Sequence, residues 1–268
     1  MQSQSRHPAA GRVARRGYLV AQLVKRDLRE RYIGSAAGLL WSVLHPLVLV
    51  ALYTFVITFV FKVRAVEGGP RGYAAFVLCG LLPWIALQES IVQSAASLVK
   101  NAPLIKKIRF PAEVVPVGVV FSSLLHQLIG TVVFVVILHQ SIRFGPGSLP
   151  GLLLLLALQV ALALGLGWLV ASLNVFVRDT QHVVQLSFSL LFWLTPLVYD
   201  RSMVPDRLRW LVDVNPLSHL VAGYRAVFLG TSGPLSQGWL VLASWAVVLL
   251  FFGYFTIQRL KGRFADYL

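Results

Sequence analysis

The chain has 268 residues, 57% of them hydrophobic, 13% charged, with a formal charge of +14. A soluble domain carries about a quarter charged residues, so this composition excludes an ordinary soluble globule and points to a bilayer. One cysteine, Cys79, excludes an intramolecular disulfide and a thiolate metal cluster.

Residues 1–16 are rich in Ser, Arg, Gln and Ala without apolar periodicity, and are expected to be a flexible cytoplasmic N-terminus. No cleavable signal is evident before the first apolar run, so the first span is expected to be retained. Over 17–34 the pattern changes. Val20, Leu23, Val24, Leu28 and Tyr32 recur at helical spacing while Lys25, Arg26, Arg29 and Glu30 take much of the remaining surface. This predicts an amphipathic helix in the membrane interface, its stripe in the acyl boundary and its cations at lipid headgroups. Gly34 and Gly38 then permit a sharp turn into the membrane.

From 35 to 258 the apolar runs predict an all-α integral membrane domain of six transmembrane helices, because lipid cannot satisfy an open backbone and about 20 helical residues cross the hydrocarbon. The spans are Trp41 to Phe61, Tyr73 to Val99, Val114 to Leu138, Leu149 to Leu173, Val183 to Tyr199 and Trp239 to Ile257. The fifth is short and broken near its end by Pro196. Between the second and third spans, residues 100–111 carry four cations. There Asn101 is placed as an N-cap, Pro103 suits a first turn, and Pro111 stops the helix. Leu104, Ile105 and Ile108 gather on one side, leaving Lys106, Lys107 and Arg109 largely on another. A helix this short needs something to pack against. It reads either as a basic loop that fixes topology or as a rigid knob that transmits force. The connection 174–182 is a second short loop, where Arg178 and Asp179 read as a local salt bridge or cap, or as a second handle for a partner. Residues 203–231 hold two amphipathic patterns divided at Asn215 and Pro216, each too short to span, predicting external re-entrant helices before the last span. Residues 259–268 form a C-terminal tail.

With the N-terminus inside, sixteen Lys and Arg fall on inside segments and eight outside, which predicts both termini in the cytoplasm. No RNA-binding signature accompanies the charge, so no nucleic acid partner is expected. There is no phosphate-loop motif, so any ATP energy must come from another subunit. The scattered histidines show no metal-ligand spacing, and no metal is expected. Glu89 is the one carboxylate well inside a span; it reads as a proton relay or as an interface residue held by Ser90 or Gln93. Tyr53, Phe59, Trp84, Trp193 and Tyr199 are either interfacial belt residues or, with Glu89, the lining of a substrate path that offers sugars flat rings.

Several segments together resemble the permease subunits of ABC-2 type exporters for O-antigen, capsule and teichoic acid polysaccharides. RYIGSAAGLLWSVLHPL (Arg31 to Leu47) resembles that family's approach to its first span, residues Leu98 to Pro111 its first coupling region, NVFVRD its second, and NPLSHLVAGYR the segment before its last span. Ile33 stands where many relatives carry a basic residue. The resemblance implies a homodimer working with two copies of a nucleotide-binding ATPase subunit, exporting a lipid-linked polysaccharide across the inner membrane through a channel at the dimer interface. ATP and Mg would be bound by the ATPase subunit, and this chain would carry no cofactor and no catalytic residue. In this reading Asn101 and Pro103 to Phe110, with Arg178 and Asp179, form the ATPase interface. The rival expectations are an ATP-independent channel or carrier, for which Glu89 is the best feature, and an integral-membrane enzyme acting on lipid-linked sugars.

Overall fold

A computed structural model describes residues 9–32, 40–60, 69–107, 110–230 and 237–268, and every described element is helical or a turn. In chain order they are α1 (Ala9–Tyr32), α2 (Leu40–Thr54), α3 (Gly69–Lys100), α4 (Ala102–Lys107), α5 (Val114–Ile137), α6 (Leu149–Phe176), α7 (Thr180–Leu194), α8 (Arg209–Val214), α9 (Pro216–Leu229), α10 (Gln237–Leu260) and α11 (Phe264–Tyr267). A π-helical stretch, Phe55–Val60, continues α2. The expected turn at Gly34 and Gly38 lies outside the described residues.

Four described helices are long and apolar enough to cross a membrane: Gly69–Lys100, Val114–Ile137, and those containing α6 and α10. They contain or match the second, third, fourth and sixth predicted spans. The first predicted span appears as α2 with its π-helical extension, and the fifth as α7, which stops at Leu194 before Pro196. α1 starts at Ala9, earlier than the amphipathic stripe predicts, because Ala9, Ala10, Arg12, Ala14, Arg15 and Arg16 are good helix formers even without apolar period.

α3 is the axis of the bundle, packing against α2, α5, α6, α7 and α9. It is buried nearly all round because Ala75, Ala86, Ala95, Ser90, Ser94 and Ser97 keep its girth small. α6 and α10 pack closest: a Cβ on Gly165 would lie 2.5 Å from the Leu249 carbonyl oxygen, and one on Gly253 would meet the Gly165 carbonyl oxygen. Backbone touches backbone there, which only glycine permits.

Polar side chains inside the bundle close on one another. Gln127 on α5, Gln159 on α6 and Tyr224 on α9 form a buried triangle in which Tyr224 donates to Gln159 Oε1 at 2.6 Å and Gln159 Nε2 to Gln127 Oε1 at 2.6 Å. Gln159 also donates to the Pro83 carbonyl in α3 at 3.3 Å. In apolar surroundings each such group needs a partner, so the triangle fixes how three helices meet.

The connection after α7 is held the same way. Residues 195–198 are buried without being helical. Arg225 donates through Nη1 to Pro196 O at 2.7 Å, through Nη2 to Leu197 O at 2.6 Å and through Nε to Phe76 O at 3.1 Å. Its guanidinium lies 3.4 Å above the Phe76 ring. Tyr73 donates to Val198 O at 2.8 Å, and Asn215 Nδ2 to Thr195 Oγ1 at 2.9 Å. Arg225 is 8% exposed, so it is a packing residue rather than the loop cation that the charge tally assumes.

α8 and α9 divide at Asn215 and Pro216 as the sequence predicts. Asn215 Oδ1 accepts from Leu217 N at 3.0 Å, and Gly230 at φ 67° ends α9.

Candidate coupling surface and aromatic face

α4 sits where a second, smaller apolar cluster gathers Leu98, Ala112, Val115, Ala171, Val175, Ile257 and Phe264. Ile105 and Phe110 are half-buried against it, while Pro103 and Lys106 are exposed. Leu104 is half-buried. Lys107 ends α4, and Ile108 and Arg109 lie outside the described residues. The predicted two-sided pattern is therefore described for Leu104, Ile105 and Lys106.

Asn101 does not cap α4 with its side chain. Its backbone carbonyl accepts from Leu104 N at 3.0 Å and Ile105 N at 3.2 Å, while Nδ2 donates to Ser97 O at 2.8 Å and Oδ1 accepts from Arg26 of α1. The side chain thus ties α4 to α1. Lys100 reinforces this, its Nζ 2.7 Å from Glu30, which also pairs with Arg26 at 3.3 Å.

Two supports were not evident from the sequence. Glu113, 6% exposed, opens α5: its Oε1 lies 3.2 Å from Arg16 Nη2 and 4.0 Å from Lys261 Nζ, and its carbonyl accepts from Trp168 Nε1 at 2.9 Å. Its other oxygen, Oε2, is buried without a hydrogen bond among the described residues. The signal for it was a lone acid just past Pro111 in an acid-poor stretch. The second is Phe264 of α11, fully buried, with Tyr267 edge-on to Phe176 at 4.8 Å. Residues 259–268 are thus folded back onto the end of the bundle that carries α4. α4 is a short helix packed on α3 and α11 and tied to α1 through Asn101, the support that a helix this short needs.

Arg178 and Asp179 are both exposed, and neither joins an ion pair among the described residues. The local salt bridge does not form among the described residues, while Asp179 stands at the N-cap position of α7 without a side-chain cap hydrogen bond.

α1 carries Val20, Leu23, Val24 and Leu28 half-buried and Lys25, Arg26 and Arg29 exposed; the Tyr32 side chain is outside the described residues. Leu23 lies over Gly118 of α5, and Ser122 donates to Asp27 at 2.5 Å. The amphipathic stripe therefore meets protein as well as the surrounding medium.

The aromatic residues separate. Trp84 is 2% exposed, packed edge-on to Phe188 and Phe192. Tyr53 stacks on Phe192 at 6.0 Å. Phe59 is 60% and Trp193 66% exposed, and Tyr199, half-buried, donates to the Trp193 carbonyl at 2.7 Å. So α2 and α7 present Phe59 and Trp193 outward with Trp84 behind them as core. Beside them on α7, Leu186, Leu190 and Leu194 are also exposed. Glu89 is half-buried and accepts from Gln93 Nε2 at 3.0 Å, one turn along α3.

Residues 18–229 match the family model described as ABC-2 type transporter. Three curated relatives are each named O-antigen export system permease protein RfbA. Two are from Klebsiella pneumoniae, 33% identical over 262 residues and 32% over 257, each match covering 94% of this chain and 96% of the relative. One is from Myxococcus xanthus, 29% identical over 253 residues, covering 94% of this chain and 95% of the relative. With long apolar helices, a braced short helix at one end and a family match over most of its length, this chain belongs to the ABC-2 type transporter family and is a multi-pass membrane transport subunit.

Proposed function

We propose that this chain is the permease of an ATP-driven exporter that moves a lipid-linked polysaccharide such as O-antigen across the inner membrane, with ATP and Mg bound by a separate subunit. The relatives' names support the substrate class. The observation that carries the coupling is the bracing of α4, which leaves Pro103 and Lys106 exposed on a helix whose other side is held by Asn101, Ile105 and Phe110.

In this reading α4 seats in a cleft of the ATPase, with Arg178 and Asp179 as the second contact. Closure of two ATPase copies displaces α4, and the displacement reaches α1, α5 and α6 through Asn101, Glu113 and the Phe264 cluster. α2 with its π extension and α7 complete six crossings, α8 and α9 re-enter from the outer side, and both termini face the cytoplasm. Two copies of the chain enclose the conduit, with the exposed rings of Phe59 and Trp193, and Tyr53 and Tyr199 behind them, meeting the glycan. Capsule and teichoic acid polymers share the required chemistry, a polyhydroxylated chain on a lipid carrier.

Lys106→Glu with Lys107→Glu is expected to abolish recovery of the ATPase subunit with the permease, and with it export, at unchanged membrane levels. Unchanged recovery and unchanged export would contradict the coupling role. Trp193→Ala is expected to lower export while ATPase association is retained; full export at normal protein levels would remove that residue from the path.

A further inference from the structure

α1 is seated on α5 along one line, where Leu23 covers Gly118 and Asp27 accepts from Ser122. On the next stripe of the same helix, Val20, Val24 and Leu28 stand off from Phe121, Leu125 and Ile129 of α5. Between the two rows runs an open groove of about 860 Å³. Phe121, Leu125 and Ile129 are each 38–40% exposed, so this floor is not filled by the described residues.

The charge at its rim has one sign. Lys25 and Arg29, one turn apart, are the only charged residues lining the groove, both are exposed, and neither joins an ion pair among the described residues. Their neighbour Arg26, by contrast, is paired with Glu30 and bonded to Asn101. An apolar trough more than two helical turns long, edged by two cations without an ion pair among the described residues, is complementary to a molecule with an aliphatic chain and an anionic head.

We propose that the groove between α1 and α5 holds one anionic phospholipid of the bilayer, its acyl chain against Val24 and Leu125 and its phosphate between Lys25 and Arg29. The lipid fills the side of α1 that the Leu23 and Asp27 contacts leave open, so it fixes the helix that also holds Asn101. This assignment does not depend on which polymer is exported.

The test uses the full-length chain in its purified membrane assembly, placed in nanodiscs of equal phosphatidylglycerol and phosphatidylcholine, with retained lipids counted by native mass spectrometry. Phosphatidylglycerol is expected to be retained over phosphatidylcholine by about tenfold. The ratio should fall to near one in Lys25→Gln with Arg29→Gln, and persist in Arg259→Gln, which removes an exposed cation elsewhere. Leu125→Trp, which fills the trough, should abolish retention of either lipid. Equal retention by the unaltered chain, or a preference that survives the double substitution, would overturn the assignment. So would no retained lipid, the outcome if a second copy covers the groove. Displacement of phosphatidylglycerol by added polyprenyl phosphate would make it a carrier-lipid site and would also overturn it.

Discussion

Arg225 meets three backbone carbonyls and an aromatic face, and through them joins α9 to α3 and to the stretch after α7. A guanidinium can do this because its donors diverge in a plane; a lysine supplies one point. Arg225→Leu keeps the bulk and leaves the carbonyls unmet, at a cost of about 3 kcal/mol. The expected reading is a thermal midpoint in detergent lower by about 5 °C or more; an unchanged midpoint would show that the carbonyls find other donors. Nothing in the sequence distinguished Arg225 from a surface cation, because its acceptor at Phe76 lies 149 residues away. Glu113 escaped for the same reason, since Arg16 and Lys261 reach it from the two ends of the chain. Trp84 and Trp193 read alike as sequence, and only the fold sends one to the core and the other outward.

At the scale of elements, α3, α5, α6 and α10 were legible because their apolar runs are continuous. The π-helical end of α2 was not, since FVITFV carries no signal that separates a π-helical turn from an α-helical one. The α6 and α10 crossing rests on glycine. Gly253→Ala would press a methyl group into the Gly165 carbonyl, where backbone cannot yield, whereas Gly262 has open space around it. We expect Gly253→Ala to fail to give a monodisperse protein and Gly262→Ala to behave normally; equal yields and midpoints would contradict the crossing. In the segment before α8, Arg201 donates to both oxygens of Asp213 at 2.7 Å and thereby holds that carboxyl below its usual range. Because the folded value is depressed, the stabilisation is present above the ordinary carboxylate range and is lost as pH falls through the folded value. The pair is exposed and contributes at most about 1 kcal/mol. Protection from hydrogen exchange over 201–214, taken relative to the intrinsic rate at each pH, should fall on acidification in the unaltered chain and be low at every pH in Asp213→Asn; equal protection in the two chains at every pH would remove the clasp.

For the whole molecule, the two ends of the chain converge on α4. Arg26 reaches Asn101 from α1, and Phe264 fills the cluster beneath Ile105 and Phe110 from α11. The sequence showed the short helix with its basic side and its proline stop, but its supports come from residues that read as an interface helix and a C-terminal tail. Phe264→Ala removes a fully buried ring, a change that costs about 3–5 kcal/mol in well-packed cores. It should raise hydrogen exchange over 102–107 and lower export per ATP hydrolysed, while Lys106 stays available to the ATPase; unaltered exchange and unaltered coupling would show that the tail is not a brace. The most direct measurement is to purify the tagged chain from its native membranes in mild detergent, identify and count its partners, and assay ATP hydrolysis. A subunit with a phosphate-loop motif is expected at one copy per chain, with Mg-dependent ATP hydrolysis that disappears from the preparation when Lys106 and Lys107 become Glu. A homo-oligomer free of any nucleotide-binding subunit would contradict it.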